Sequence, residues 1–407
     1  MLWLINDIFN LRKVISLLRH PKPIYIPLII ARATLGSTST DTLIEKINLT
    51  LEKLQRSIER QKLKRKLVHS RKRPWSAIKT RNPLRIYCEN DEEERTFKDY
   101  FNFALKVINE YETKYGSLFP NQKRGRRRVY DYKKLLAAII AGKRFGKSLK
   151  EIVDSLKNAQ IKVTLPGIVE KYPRKAELRY VLKIVPETAL SRMLQMTDAW
   201  VTHIAKQLFD WCIDMLIVDS SDLKTRIKDF DKIQGQLKYR QKTYTVTLVT
   251  RYITNTVPMV IRMAPQVVVK DIIRVIKARY IIADKGYRNI VNIWDAVENN
   301  VVFLTPYVID RLKGAVKELA EFLYKLRKPG ERPFGNFDTR MIRLSSINPD
   351  MCYKELLAYL IAHNIRSYFR VVLLNRLVTP IGSWYKREIL QKAHEYLMLA
   401  IKEAYTL

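Results

Sequence analysis

Ile281-Ile282-Ala283-Asp284-Lys285-Gly286-Tyr287 is the stretch on which the fold turns. Its first residues are small or apolar and read as a short buried strand, with an aspartate where that strand ends. Lys285-Gly286 then turns the chain into an expected helix from Tyr287 to Asn299, with Ile290, Ile293, Trp294 and Val297 on one apolar face. A carboxylate at the end of a buried strand is placed as catalytic groups are, on the loops that a rigid scaffold presents. The same residue type also caps helices, so Asp284 alone carries both readings.

A second segment of this kind lies upstream, Met215-Leu216-Ile217-Val218-Asp219-Ser220-Ser221-Asp222. The apolar run again ends in an acid and is far too short for a membrane span. If both strands share a sheet, Asp219 and Asp284 approach each other across 284 − 219 = 65 residues of sequence. Paired carboxylates on neighbouring strands suit hard divalent cations such as Mg²⁺. Asp222 competes with Asp219 as the acid of that turn. A third acid is expected downstream, where Tyr324-Lys325-Leu326-Arg327-Lys328-Pro329-Gly330-Glu331-Arg332-Pro333-Phe334-Gly335 stands.

Val-Asp-Ser-Ser at 218–221, Ala-Asp-Lys-Gly-Tyr at 283–287 and Glu-Arg-Pro-Phe-Gly at 331–335 resemble the three acidic motifs of insertion-sequence DDE transposases. Their order matches that family, as do the separations of 65 and 331 − 284 = 47 residues. Tyr324, Arg327 and Glu331 fall at the spacing of the signature Tyr-x2-Arg-x3-Glu-x6-Lys carried by one branch of these enzymes. The signature's lysine would lie at 338, where this chain has Asp338; Arg340 could take over its phosphate contact. The resemblance covers roughly residues 185 to 375, and Ala-Asp-Lys-Gly-Tyr is its most specific piece.

The resemblance implies metal-dependent cleavage at transposon ends and transfer of a 3′-hydroxyl strand into target DNA. It also implies two Mg²⁺ or Mn²⁺ ions, roughly 4 Å apart in such sites. Asp219, Asp284 and Glu331 would be both the catalytic acids and the metal ligands, with Asp219 bridging the ions. Glu321, 321 − 284 = 37 residues after the second acid, competes with Glu331 for the third place. Tyr324 and Arg327 would contact phosphate near the cut, and a homodimer would assemble on two DNA ends. Two other readings stay open. One is an RNase H-like nuclease without strand transfer; the other is a transposase-derived DNA-binding protein that has lost catalysis, a possibility raised by Asp338.

The composition supports a polyanionic partner on independent grounds. The 407 residues carry 75 Lys+Arg against 40 Asp+Glu, a net charge of +35, and self-repulsion on that scale is best explained by nucleic acid. With 47% hydrophobic residues the chain can bury a real core, and its length allows two or three domains. The three cysteines, Cys88, Cys212 and Cys352, lie far apart and fit a reducing, cytoplasmic compartment rather than a disulfide framework or zinc site, and the insertion-sequence resemblance implies that this compartment is prokaryotic, at the nucleoid. Neither a signal peptide, a membrane helix nor a lipidation motif is legible.

Taken in order, residues 1–90 form a basic N-terminal region. Thr42 with Glu45 makes a capping box, and Ile44, Ile47, Leu51, Leu54 and Ile58 give a short heptad seam before a basic run to Arg73. Residues 91–210 are expected to be a helical DNA-binding region. The cluster Lys123-Arg124-Gly125-Arg126-Arg127-Arg128 should be an exposed phosphate-contacting loop. Tyr132 to Ala141, ending at Gly142, and Leu149 to Leu156, opened by the Ser148/Glu151 capping box, outline a helix-turn-helix. A third helix after Pro186 presents Thr188, Ser191 and Arg192 for phosphates or base edges.

Residues 211–345 are expected to form an α/β catalytic domain, an RNase H-like mixed five-stranded sheet flanked by helices. The strand ending in Asp219, then Thr243 to Thr250 and Val257 to Met263, make a meander, followed by helix, strand, helix and strand. This order sets the first strand centrally, beside the one that ends in Asp284. Residues 346–407 are expected to be helices packed on that domain, with an apolar strip of Leu356, Leu357, Leu360 and Ile361.

Overall fold

The structure, a computed structural model, describes residues 95–119, 128–209, 215–233, 236–262, 269–325, 327, 348–377 and 383–405; over 208–209, 222–233, 236–244, 374–377 and 383–390 it describes the backbone alone. The N-terminal heptad seam and basic run, Arg124, Arg126, Arg127, Glu331, Asp338 and Arg340 lie outside the described residues.

The first described helix, α1 (Phe97–Tyr115), is fixed by a capping box between Thr96 and Asp99, so it begins inside the stretch expected from Asp91. Next come α2 (Tyr132–Arg144), α3 (Leu149–Asn158), α4 (Lys175–Ile184) and α5 (Glu187–Phe209). Asp131 caps α2, and Ser148 with Glu151 forms the expected capping box on α3. Gly142 does not end α2, which runs a further half-turn to Arg144. It instead marks a close helix crossing: a Cβ on Gly142 would fall 2.2 Å from Ile152 Cγ1 of α3.

The sheet follows, with strands β1 (Met215–Ile233), β2 (Gln236–Arg251), β3 (Met259–Ile261), β4 (Tyr280–Ala283) and β5 (Val302–Leu304) in the order β3-β2-β1-β4-β5. β1 pairs antiparallel with β2, and β2 with β3, while β4 lies parallel to both β1 and β5. This is the expected mixed five-stranded sheet, with the first strand central. The apolar β4 and β5 are buried throughout, as strands covered on both faces should be. Between strands run α6 (Val269–Val275) and α7 (Ile290–Glu298); after β5 come α8 (Pro306–Ile309), α9 (Gly314–Lys325), α10 (Pro349–Leu377) and α11 (Ser383–Tyr405).

Two expectations about these elements need correction. β1 does not stop at Asp219 but continues through Asp222, which sits opposite Thr245 in a strand and not in a turn. β2 correspondingly starts at Gln236 and not at Thr243. In α7, Ile293 is buried but Ile290 and Trp294 are 53% and 47% exposed, so the apolar face read from the sequence is only partly covered.

The buried apolar residues form two clusters. One joins α1 to α5 with α10 and includes Leu136, Ile140, Leu190, Leu356 and Ile361, together with Val246, Leu248 and Val260 from the sheet and Val257 from the connection between β2 and β3. The other encloses β1, β4 and β5 with α6, α7 and α9, closed by Leu397, Met398 and Ile401 of α11. Burying each such Leu or Ile stabilises by about 1.5–3 kcal/mol. The two C-terminal helices therefore have different seats. α11 packs on the sheet unit, whereas α10 is chiefly part of the helical layer and touches the sheet through β2 and β3.

A buried polar seam ties that layer to the sheet. Arg251 Nε of β2 donates to Asp198 Oδ1 and Oδ2 of α5 at 2.9 and 3.0 Å, and Thr256 Oγ1 donates to Asp198 Oδ1 at 2.7 Å. Asn364 of α10 accepts from Val257 N at 2.8 Å and donates to Val257 O at 3.0 Å and Leu194 O at 3.2 Å. Pairing of this kind keeps the seam from costing the desolvation of its polar groups.

Candidate active site

The sheet brings the first two acids together. Val218 of β1 pairs in parallel register with Ala283 of β4, and Asp219 and Asp284 are the next residues on those two chains. Asp219 remains within the strand, opposite Leu248, whereas Asp284 has left it. Asp284 Oδ1 accepts from Lys285 N at 2.7 Å and caps the 3-10 turn Lys285–Tyr287. Asp284 thus caps the turn while standing beside Asp219.

Arg327 lies across both carboxylates. Its Nη1 is 2.9 Å from Asp284 Oδ1 and its Nη2 is 3.5 Å from Asp219 Oδ1. Nη1 also donates to Tyr324 Oη at 3.1 Å. Tyr324 is on the last turn of α9 and Arg327 just beyond it, so the Tyr-x2-Arg spacing folds both side chains back toward the strand ends. Burial works to lower the Arg327 pKa, but Tyr324 and the two carboxylates outweigh it and hold the guanidinium above its ordinary value. Burial is the main cause that raises the Tyr324 phenol.

Behind the acids sits a hydroxyl cluster that sequence reasoning had not assembled. Ser220 Oγ is 2.6 Å from Thr247 Oγ1 across the β1–β2 pair and hydrogen-bonds to Tyr287 Oη. Tyr287 is buried, and burial raises its pKa. The signal was present in the quoted motifs, since Ser220 follows the first acid and Tyr287 lies three residues after the second. The cluster pins the turn after β4 to the central strand and so fixes the spacing of the acids.

Two carboxylates on adjoining strands are hard oxygen donors, and that chemistry fits Mg²⁺ or Mn²⁺. Among the described residues no group of three or more His, Cys, Asp or Glu is gathered to hold a metal ion. Glu331 lies outside them, and Glu321 is exposed on α9. Of the remaining sequence-predicted residues, Arg128 and Arg192 are described, and both sit elsewhere, in the helical unit. Arg128 stacks 4.7 Å from the ring centre of Tyr132, and Arg192 lies 4.9 Å from that of Tyr115. No helix among the described residues is long and apolar enough to cross a membrane.

No family model matches this chain, and no curated protein matches it. Among solved structures it is similar to a piggyBac transposase synaptic complex with hairpin DNA, at 10% identity over 76% of this chain and 80% of that one, with a TM-score of 0.34.

Proposed function

We propose that this protein is a DNA transposase of the DDE class, of the insertion-element type, which cuts at transposon ends and joins the 3′-hydroxyl strand to target DNA. The observation that carries the reading is the meeting of Asp219 and Asp284 on adjacent strands, with Arg327 of the Tyr-x2-Arg spacing bonded to both. In this reading the sheet of 211–345 is an RNase H-like catalytic domain and 91–210 the DNA-recognition region, acting as a homodimer on two ends in a prokaryotic cytoplasm.

Asp219, Asp284 and Glu331 would hold Mg²⁺ or Mn²⁺, two ions in all. Bound there, the metal supplies charge neutralisation at the scissile phosphate and an activated nucleophile. The chain's own residues do the positioning. Arg327, anchored by Tyr324, binds phosphate once DNA arrives, in the bidentate manner that guanidinium favours. The Ser220, Thr247 and Tyr287 hydroxyls hold Asp219 and Asp284 at fixed separation, which is what a preorganised site requires.

A supercoiled plasmid carrying the element's own ends tests this directly. Wild type should nick it with Mg²⁺ or Mn²⁺, while Asp284→Asn should bind the same DNA without cutting. Binding without cleavage in both proteins would sink the catalytic reading. It would favour a DNA-binding descendant of a transposase, for which the presence of Asp338 in place of the signature lysine speaks.

A further inference from the structure

The strand that carries Asp219 extends well past the sheet. β4 pairs with β1 only over Met215–Val218, and β3 pairs with β2 only over Thr247–Val249. β1 and β2 nevertheless stay paired from Asp222↔Thr245 out to Ile233↔Gln236. Among the described residues this outer part is a two-stranded ribbon with no strand on either side. Its sequence, 222–244, holds seven basic residues against three acidic ones, a balance of 7 − 3 = +4.

Register sorts those charges. Beyond the register shift between Lys224 and Lys228, Asp229 stands opposite Arg240 and Asp231 opposite Lys238, so these positions balance. The alternate positions, Lys228↔Gln241, Phe230↔Tyr239 and Lys232↔Leu237, hold two lysines and two aromatics and no acid. Strand residues alternate between faces, and directly opposed residues share one. One face of the ribbon is therefore balanced in charge and the other is basic with aromatic residues interleaved.

A two-stranded ribbon is narrow enough to enter a DNA major groove, where lysines bind the flanking phosphates and aromatic side chains make apolar contact with base edges such as the thymine methyl. We infer that the ribbon face bearing Lys228, Phe230, Lys232 and Tyr239 is a DNA-binding surface, carried on the outer part of the same strand that bears Asp219. The inference rests on the transposase reading in taking DNA as the polyanion. The competing role for these lysines is to guard exposed strand edges against pairing with another chain.

Binding of the full-length protein to a DNA duplex across a salt series separates the two. Lys228→Gln/Lys232→Gln should lower the slope of log affinity against log salt by about 1.8, at about 0.9 per phosphate contact. Lys228→Arg/Lys232→Arg should keep the wild-type slope, and the thermal midpoints of all three proteins should agree. A slope unchanged in the glutamine variant, with wild type binding DNA in a salt-dependent way, overturns the ribbon surface alone and leaves the transposase reading intact. A wild type that shows no salt-dependent binding overturns both.

Discussion

Arg327 is bonded more closely to Asp284, at 2.9 Å, than to Asp219, at 3.5 Å. A guanidinium in this place already neutralises the carboxylates that a divalent ion would need, so the two cations compete. Arg327→Ala should bind Mn²⁺ more tightly in the absence of DNA. The side chain is partly exposed, and a pair of that kind is worth up to about 1 kcal/mol, or roughly fivefold in affinity. Titration calorimetry with Mn²⁺ reads the change, and equal affinities would show that the guanidinium does not stand in the way of the ion. Under the proposed function, in which Arg327 binds phosphate, the same variant should also lose plasmid cleavage.

Gly142 has a different exposure to mutation. Gly142→Ala would improve helix propensity by about 0.8–1 kcal/mol, but its methyl group would collide with Ile152. Overpacking costs about 1–3 kcal/mol, so net destabilisation is expected in a denaturant titration. Ile152→Ala added to Gly142→Ala should recover part of the specific clash, and strict additivity of the two changes would argue that no clash exists.

Removing Asp198 should be severe. Its carboxylate bonds Arg251 and Thr256 at the junction of α5 with the sheet, and all three residues are buried. Breaking a buried pair by deleting one partner typically costs about 3–5 kcal/mol, so Asp198→Ala should drop the unfolding midpoint sharply. A shift no larger than that of a surface substitution would mean that water reaches the seam.

His363 gives the fold a defined acid sensitivity. Burial chiefly, with help from Arg366, Arg370 and Arg144, pushes its pKa down from 6.5 to about 4, against the bond to the Asn255 carbonyl. Between those values the unfolded chain takes up a proton that the folded chain refuses. Stability contributed by the neutral ring is therefore complete above 6.5 and declines as pH falls through the window, levelling off below about 4. The expected loss is about 3 kcal/mol. His363→Gln should unfold with a shallower pH dependence across that window; an identical slope would mean that His363 is not the group responsible.

Much of the candidate site was legible in sequence because apolar runs ending in Asp219 and Asp284 obey local rules of strand burial. Their adjacency followed from the strand order. The ribbon beyond Asp219 escaped notice because its alternation mixes Lys, Asp and Phe, leaving no hydrophobic period to read. Gly142 looked like a helix stop because its actual partner, Ile152, lies on another helix. The partition of α10 and α11 between two cores was equally hidden, since an apolar strip such as Leu356, Leu357 and Leu360 states that it is covered but not by what. Arg327 was placed as a phosphate contact from its motif, and only the folded chain shows it resting on the acids.

The uninterrupted run of β1 sets a length scale. Ile233 stands 233 − 219 = 14 residues beyond Asp219 on the same strand. At about 3.3 Å per residue, less what the register irregularity takes up, the tip lies up to about 46 Å from the carboxylate. A turn of B-DNA is about 34 Å. A duplex followed along this ribbon would be touched more than one helical turn away from the phosphate at the acids, so very short DNA ends would forfeit the tip contact while still reaching the site.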